Sequence, residues 1–338
     1  MTEVRINGAA VPSFHRLQVA EVITETPDAH SLVLSVPPTL AAAFAYRPGQ
    51  YLTIRVPDGG GTVARCYSLS SSPHTDTDLK ITVKRVPDGQ ASNWICDHVR
   101  PGTTLDLAPP TGSFTPASLD DDLLLLAGGS GITPVIGIIK SMLAGGHGRL
   151  ALVYANRDAR SVIFCAELAT LQRQHGERLT VTHWLDSERG APSGAALAPL
   201  LSAYADREAF VCGPEPFVAT ARDALRRAGV GDDRVRVERF DVAAPSTRDA
   251  TAEVTLDGQT HRLAWPAGTR LLDVIISAGL NPPFSCRQGH CGACACRVLS
   301  GEVELVHNEV LEEEDFADGY ILACQAVARS DTVAVTYY

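Results

Sequence analysis

Cys286-Arg287-Gln288-Gly289-His290-Cys291-Gly292-Ala293-Cys294, with Cys324 a further thirty positions on, decides the reading of this chain. The spacing is C-x4-C-x2-C and then one distant cysteine, the plant-type arrangement around a [2Fe–2S] cluster. Three thiolates on one tight loop and a fourth from a distant strand can surround such a cluster. Gly289 and Gly292 let the loop pass close over the inorganic sulfides, because glycine tolerates positive φ and close backbone approach. A four-cysteine zinc site is the structural alternative, but zinc ligands usually come as two short pairs rather than a triplet plus one. Cys296, two residues past a ligand position, reads as a small buried side chain. A cluster of this kind carries single electrons.

Composition bounds the rest. A chain of 338 residues exceeds one hydrophobic core and implies two or three domains. It has nine cysteines, yet its opening MTEVRINGAA lacks a charged-then-apolar secretory signal, and no apolar run reaches membrane-span length. The expectation is a cytoplasmic protein whose clustered cysteines serve metal or catalysis rather than disulfides. The formal net charge is −10, and from Ala250 onward twelve acidic side chains face five basic ones. That balance argues against nucleic acid as a partner. It fits docking to a basic protein surface, although the run Glu312-Glu313-Glu314-Asp315 reads equally well as a solvated helix face.

Hydrophobic periodicity divides the chain into three. From Phe14 to Phe114, short alternating stretches (His15–Ile23, Ser31–Val36, Gln50–Val56, Leu79–Arg85) are separated by turn residues, which predicts an antiparallel β-barrel with one helix, Ser92–His98, across its mouth. From Asp120 to Phe240, buried-looking strands (Leu123–Ala127, Leu150–Ala155, Leu179–Trp184, Ala209–Val211) alternate with helical segments (Pro134–Ala144, Cys165–Gln174, Ala195–Leu201, Phe217–Ala228). This is the pattern of βαβ units on a parallel sheet. A polar stretch containing Pro245 reads as a linker. Beyond it, a strand pair turning at Asp257-Gly258, the helix Leu271–Ala278 and the cysteine loop predict a small α+β domain. The expected boundaries are 1–118, 119–241, a linker at 242–249, and 250–338.

A reduced nicotinamide delivers two electrons as a hydride and a [2Fe–2S] cluster accepts one, so a flavin fits between them. Arg65-Cys66-Tyr67-Ser68-Leu69-Ser70-Ser71 offers a guanidinium for phosphate, an aromatic ring for stacking and hydroxyls for flavin polar atoms. Arg47-Pro48-Gly49-Gln50-Tyr51 adds a rigid turn, and Gly89-Gln90-Ala91-Ser92 opens the barrel helix, whose N-terminus suits a pyrophosphate. In the second segment, Leu123-Leu124-Leu125-Leu126-Ala127 leads into Gly128-Gly129-Ser130-Gly131-Ile132-Thr133-Pro134. There Thr133 is expected as N-cap and Pro134 as first helical residue, and the order strand, glycines, cap, helix implies dinucleotide binding. Cys212, before Gly213-Pro214, falls at the carboxyl end of its strand, where open α/β sheets bind ligands; a buried structural cysteine is the other reading.

These motifs, Arg65-x-Tyr67-Ser68, Gly128 to Pro134, Cys212-Gly213-Pro214 and Glu238-Arg239-Phe240, resemble the ferredoxin–NADP reductase superfamily. With the C-terminal cysteine loop, the chain resembles the reductase components of multicomponent oxygenases. Tyr154-Ala155-Asn156-Arg157-Asp158, Ser161-Val162-Ile163-Phe164 and His183-Trp184-Leu185-Asp186 are most similar to the 3-ketosteroid 9α-hydroxylase branch. The resemblance implies that Arg65, Tyr67 and Ser68 hold the flavin, with Ser68 near its N5. Ser71, where FMN-using relatives tend to have asparagine, implies FAD. Gly89 and Ser92 are implied at the FAD pyrophosphate, Gly129, Gly131 and Thr133 at the nicotinamide dinucleotide, and Cys212 beside the nicotinamide ring. Glu238 and Phe240 match positions that close the flavin's nicotinamide side. In plant-type reductases the aromatic is a chain-terminal tyrosine, so gating by Phe240 is not implied. Arg157 and Arg160 could bind a 2′-phosphate while Asp158 would repel one; the resemblance favours NADH, with NADPH as the alternative.

The combined expectation is an NADH-dependent reductase passing electrons through FAD and a [2Fe–2S] cluster, held by Cys286, Cys291, Cys294 and Cys324, to a Rieske non-haem iron oxygenase. No pair of Cys-x-His Rieske motifs and no two-histidine-one-carboxylate motif stands out, which puts oxygen chemistry on the partner. A di-iron oxygenase of the phenylacetyl-CoA epoxidase kind or a P450 is the alternative partner. A non-enzymatic iron–sulfur shuttle or redox sensor is the alternative of another class.

Overall fold

The computed structural model describes residues 14–58, 61–87, 89–239, 249–285, 287, 289, 291–306, 308 and 310–337. These fall into two compact units, one within Phe14–Phe240 and one within Asp241–Tyr338. Among the described residues, no helix is long and apolar enough to cross a membrane.

The first unit begins with six antiparallel strands, β1 (His15–Thr26), β2 (Ala29–Ser35), β3 (Tyr51–Asp58), β4 (Gly61–Ser68), β5 (Leu79–Lys84) and β6 (Thr104–Thr111), in the order β4-β3-β6-β1-β2-β5. The two edges meet through an antiparallel bridge between Leu69 and Ile81 and a hydrogen bond from Ser70 N to Lys80 O at 2.7 Å. The sheet thus curls on itself as a barrel, and the edge liability of an open sheet is removed. Alternate residues Leu17 and Val19, Leu32 and Leu34, Leu52 and Ile54, Ile81 and Val83 fill the interior. Helix α1 (Gln90–His98) adds Ala91 and Ile95 to the same core, as the sequence predicts for the cap. The four stretches quoted from the sequence do not include β4 and β6. Strand β4 carries the Arg-x-Tyr-Ser motif, whose polar residues break the alternation, and β6 holds Pro109-Pro110 just before its last residue.

Five parallel strands follow: β7 (Leu123–Gly128), β8 (Leu150–Asn156), β9 (Leu179–Leu185), β10 (Glu208–Gly213) and β11 (Val235–Arg239), in the order β11-β10-β7-β8-β9. Every residue of β7 and β8 is buried. Strand periodicity sends Leu123, Leu125 and Ala127 into one core with α2 (Ile132–Gly145) and α3 (Cys165–Gln174). Leu124 and Leu126 enter another. There they meet α5 (Gly194–Leu201) and α6 (Glu215–Arg227), while the four-residue α4 (Asp186–Arg189) follows β9. A run of four leucines is therefore split between two faces, the reason such strands read as continuously apolar. The barrel and the sheet pack together: Lys140 of α2, buried, pairs with Asp76 at 2.6 Å and Glu167 at 3.1 Å, and Ser141 Oγ lies 2.8 Å from Ser72 Oγ.

The second unit has a mixed sheet of β12 (Ala250–Leu256), β13 (Gln259–Trp265), β14 (Ala295–Ser300), β16 (Tyr320–Leu322) and β18 (Thr332–Thr336), ordered β13-β12-β18-β14-β16. A second pair, β15 (Val303–Leu305) with β17 (Ala326–Ala328), lies beside it. The hairpin turn has Asp257 at φ 50° and Gly258 at φ 76°, the two positive values a type I′ turn requires. Helix α7 (Leu271–Ser277) buries Leu271, Leu272 and Ile275 in a core shared with Trp265, Phe284, Cys294 and Cys324, a β-grasp arrangement. The acidic run lies on and before the short helix α8 (Glu313–Ala317), where Glu312, Glu313 and Glu314 are exposed. The expected linker falls almost wholly outside the described residues.

Candidate functional site

In the first unit, three expected residues converge. Ser68 ends β4 and is buried, and its Oγ donates to Oε2 of Glu238, on β11, at 3.2 Å. Cys212 of β10 pairs in register with Glu238 on one side and Ala127 on the other, so the thiol-bearing residue sits between the glycine loop and the carboxylate. Burial first, and then the Glu238 carboxylate, push the Cys212 thiol well above its usual range, so it stays protonated. Phe240 lies outside the described residues. Tyr67 is half-buried and Arg65 exposed, its Nη1 donating to Ala64 O at 2.9 Å. Ser71 is buried with Oγ already accepting from Tyr46 Oη at 2.7 Å and Lys80 N at 2.9 Å, so it fixes the strand beside the site rather than presenting a free hydroxyl.

The glycine loop differs from expectation in one respect. Gly129–Gly131 forms a 3₁₀ turn that runs into α2 with Gly131 as N-cap. Thr133 is not the cap, and the first helical residue is Ile132 rather than Pro134. Thr133 lies inside the helix and donates its Oγ1 proton to Ser130 O at 3.0 Å. No side chain caps α2; within its first turn the Ile132 N–H already donates to Gly129 O and Ser130 O, and Pro134 has no N–H to offer. A Cβ on Gly131 would stand 2.0 Å from Cys212 O, so only glycine lets loop and strand approach this closely. Tyr154 Oη, a donor the expected site did not include, holds Gly129 O at 3.0 Å. Gly89 caps α1 without a side chain, and Ser92 Oγ closes that turn on Val86 N at 3.3 Å. Beside it lies a cleft lined by Lys84, Arg85, Asn93, Arg157 and Asp28.

Two observations bear on whether nucleotides fit. The cleft gathers Lys84, Arg85 and Arg157 next to the α1 N-terminus, and each is already paired with a carboxylate, Lys84 and Arg157 with Asp28 and Arg85 with Asp97, so a phosphate there would compete with those carboxylates. At the carboxyl ends of β8 and β9, Asn156 Oδ1 and Nδ2, His183 Nδ1 and Asp186 Oδ1 are buried without hydrogen-bond partners among the described residues. Buried polar atoms ordinarily find partners, and this sheet edge is where open α/β folds hold ligands. The residues at the sheet edge fit a dinucleotide. Two of the three coenzyme signals expected at 157–160 are otherwise engaged: Asp158 Oδ1 accepts from Ser161 N at 3.0 Å and Arg157 pairs with Asp28 at 3.0 Å, while Arg160 is exposed. Asp186, one strand on, was not singled out for this role because no spacing rule marks it.

In the second unit, Cys286 lies outside the described residues, Cys291 is exposed, and Cys294 and Cys324 are buried in the core. None of the described cysteines is in a disulfide. Gly289 at φ 82° and Gly292 at φ 69° supply the expected left-handed turns, and Arg287 adds φ 58°. Cys324 N donates to Cys294 Sγ at 3.5 Å, and Gln325 Nε2 to Cys324 Sγ at 3.6 Å. N–H groups aimed at buried sulfurs suit thiolate ligands, so the donor set fits a [2Fe–2S] cluster. Cys296 is buried, as expected of a structural residue. Gln325 was not singled out; its only signal is adjacency to Cys324.

Residues 16–115 match the oxidoreductase FAD-binding domain, 125–223 the oxidoreductase NAD-binding domain, and 254–329 the 2Fe-2S iron-sulfur cluster binding domain. The 3-ketosteroid-9-alpha-monooxygenase ferredoxin reductase component of Mycolicibacterium smegmatis is 52% identical over 339 residues, covering 95% of this chain and 96% of that protein. One component of the 1,2-phenylacetyl-CoA epoxidase of Escherichia coli is 33% identical over 351 residues, covering 96% of this chain and 98% of that protein. Among solved structures, phthalate dioxygenase reductase superposes with a TM-score of 0.73 over 96% of this chain and 98% of that one; at 24% identity this is a likeness of fold. With its FAD, nicotinamide and [2Fe–2S] domains in one order along one polypeptide, the chain belongs to the ferredoxin–NADP reductase superfamily, in the branch of oxygenase reductase components that carry a plant-type ferredoxin domain.

Proposed function

We propose that this protein supplies electrons from NADH to a Rieske non-haem iron monooxygenase acting on 3-ketosteroids. The observation that carries the steroid assignment is 52% identity across nearly the full length of both chains to reductase components so named. Bound FAD accepts a hydride and releases electrons singly, which is what a one-electron cluster needs. The chain's part is placement and exclusion of water. Arg65 and Tyr67 hold the flavin with Ser71 behind them, and Gly89 and Ser92 meet its pyrophosphate. Ser68 is oriented by Glu238 toward the position of hydride arrival. Gly129, Gly131 and Thr133 receive the dinucleotide, Cys212 lies against the nicotinamide as a neutral thiol, and Phe240 is assigned to the nicotinamide side by its family match alone. Cys286, Cys291, Cys294 and Cys324 ligate the cluster. The domains run over 1–118, 119–241 and 250–338, with 242–249 between them. Described cysteines that form no disulfide agree with a reducing, cytoplasmic setting.

NADH is favoured over NADPH by Asp186, whose carboxylate carries a buried oxygen with no hydrogen-bond partner among the described residues, at a strand end suited to a ribose hydroxyl and hostile to a phosphate. Asp186→Ala is expected to narrow the NADH preference, in kcat/KM, by about tenfold, an effect of about 1.4 kcal/mol. The first test is a visible spectrum of anaerobic protein before and after each nucleotide. Flavin and iron–sulfur absorption bleached by NADH at lower concentration than NADPH supports the coenzyme assignment. Product formation from a 3-ketosteroid with a matched Rieske oxygenase supports the partner. A P450 or a di-iron oxygenase that this chain reduces faster than any Rieske enzyme overturns it.

A further inference from the structure

We infer that Gln325, locked in orientation by the buried guanidinium of Arg270, raises the reduction potential of the cluster by donating an N–H to Cys324. Gln325 is 3% exposed and Arg270 8%. Arg270 Nη1 donates to the Gln325 backbone carbonyl at 2.9 Å and to its side-chain Oε1 at 3.1 Å. The amide nitrogen then has two protons and two acceptors, Arg287 O at 2.8 Å and Cys324 Sγ at 3.6 Å. A flipped amide would set its NH₂ against a guanidinium and its oxygen against a carbonyl and a sulfur. The arginine therefore fixes which end of the amide faces the thiolate.

The placement of Arg270 supports a purpose beyond packing. It stands at the N-cap of α7, where a cation opposes the helix dipole. Its charge cannot be discharged by deprotonation, and it polarises an amide that points at the sulfur. One electron arriving from the flavin adds one negative charge to the iron–thiolate assembly, with no bond made or broken. Hydrogen bonds to the sulfurs and nearby cations favour that reduced form. Plant-type clusters sit near about −400 mV, so a raised potential eases electron entry. Cys294 receives an N–H from the backbone of Cys324, which side-chain replacement other than by proline leaves in place, whereas the Gln325 donor is itself a side chain and can be changed.

The inference rests on Cys324 being a cluster ligand, and the test separates the two. Gln325→Leu and the near-isosteric Gln325→Glu are prepared as full-length holoprotein, and each cluster is titrated anaerobically with detection by electron paramagnetic resonance. At the solution potential that leaves the wild-type cluster half reduced, the reduced-to-oxidised ratio is expected to fall at least threefold in Gln325→Leu and further in Gln325→Glu, which adds a negative charge. Arg270→Met is expected to move it the same way. A wild-type ratio in whichever Gln325 variant retains the cluster overturns the inference. Cys324→Ser probes the ligand reading alone: an unchanged cluster spectrum overturns that assignment, and with it the inference. A changed spectrum alongside wild-type potentials in the Gln325 variants overturns only the tuning role.

Discussion

Ser68 and Glu238 meet at 3.2 Å from positions 170 residues apart, whereas Cys291 and Cys294 lie three residues apart on one loop. The proposed hydride end is thus a product of topology: a strand of the barrel core and two strands of the sheet cores bring a hydroxyl, a thiol and a carboxylate together. The cluster end is a product of local spacing, and its sulfurs are themselves core. Cys294 and Cys324 pack with Trp265, Phe284 and Ile275. The difference separates two kinds of failure. A change at the hydride end should slow chemistry on a folded scaffold. A change at the cluster end should cost metal and fold together, because a bound cluster contributes its binding energy to the domain that holds it.

The sharpest test is Cys294→Ser. Loss of the [2Fe–2S] spectrum and complete loss of electron delivery to the oxygenase are expected, together with a lower unfolding temperature for the second unit. Anaerobic bleaching of the flavin by NADH should continue at the wild-type rate. Differential scanning calorimetry and stopped-flow absorbance read the two halves independently. A flavin step that stops with the cluster would break the division.

At the other end, Ser68→Ala should slow flavin reduction by about 10²-fold, the scale of removing one preorganised donor. Stability should fall by about 1.5–3 kcal/mol, the scale of a hydrogen bond to a buried charged group, since Ser68 donates to the buried Glu238 carboxylate. Stopped-flow reduction and urea midpoints check both. A large stability loss with an unchanged rate would recast Ser68 as a packing residue.

The same contrast explains what the sequence revealed. Cysteine spacing and the strand–glycine–helix order are local, so the 2Fe-2S domain, the positive-φ glycines Gly289 and Gly292, and the strand Leu123–Gly128 with its glycine turn into α2 were legible. Thr133 was misplaced as a cap because a 3₁₀ turn at Gly129–Gly131 starts the helix early, and sequence spacing carries no sign of that turn. Strand β11 went unrecognised because Val235–Arg239 alternates charges with valines on an edge. Asp186 and Gln325 have meaning only through what the fold brings to them: unsatisfied neighbours at a strand end in one case, a buried arginine in the other.

Gly131→Ala tests the close approach on which the hydride end depends. The new Cβ would stand 2.0 Å from Cys212 O, backbone that cannot yield cheaply. Overpacking of this kind costs about 1–3 kcal/mol, a fall of several degrees in Tm for a unit this size, with a raised KM for NADH. Gly129→Ala is the control. Its φ of 53° disfavours alanine, but the nearest atom is Lys84 Nζ at 3.6 Å, so the cost should stay near about 1 kcal/mol. Equal effects of the two would show that backbone strain, not approach, makes these positions glycine.

The smallest effect concerns the thiol at the hydride end. Cys212 is fully buried with its pKa raised, while Cys165 is exposed. Folded protein at pH 8 should therefore alkylate at Cys165 and not at Cys212, as peptide mass spectrometry would read. The same shift has a stability sign. Below the unfolded thiol's pKa of about 8.5, both states hold the proton and Cys212 contributes no pH dependence. Above it the unfolded chain releases the proton and the folded protein keeps it, so stability falls as pH rises, by at most about 1.4 kcal/mol per pH unit. Cys212→Ala removes that component. Its urea midpoint should run parallel to wild type from pH 6 to about 8 and decline less steeply toward pH 10. Parallel lines throughout would mean that the thiol ionises as easily folded as unfolded, and that the neutral sulfur assigned to the nicotinamide side is wrong.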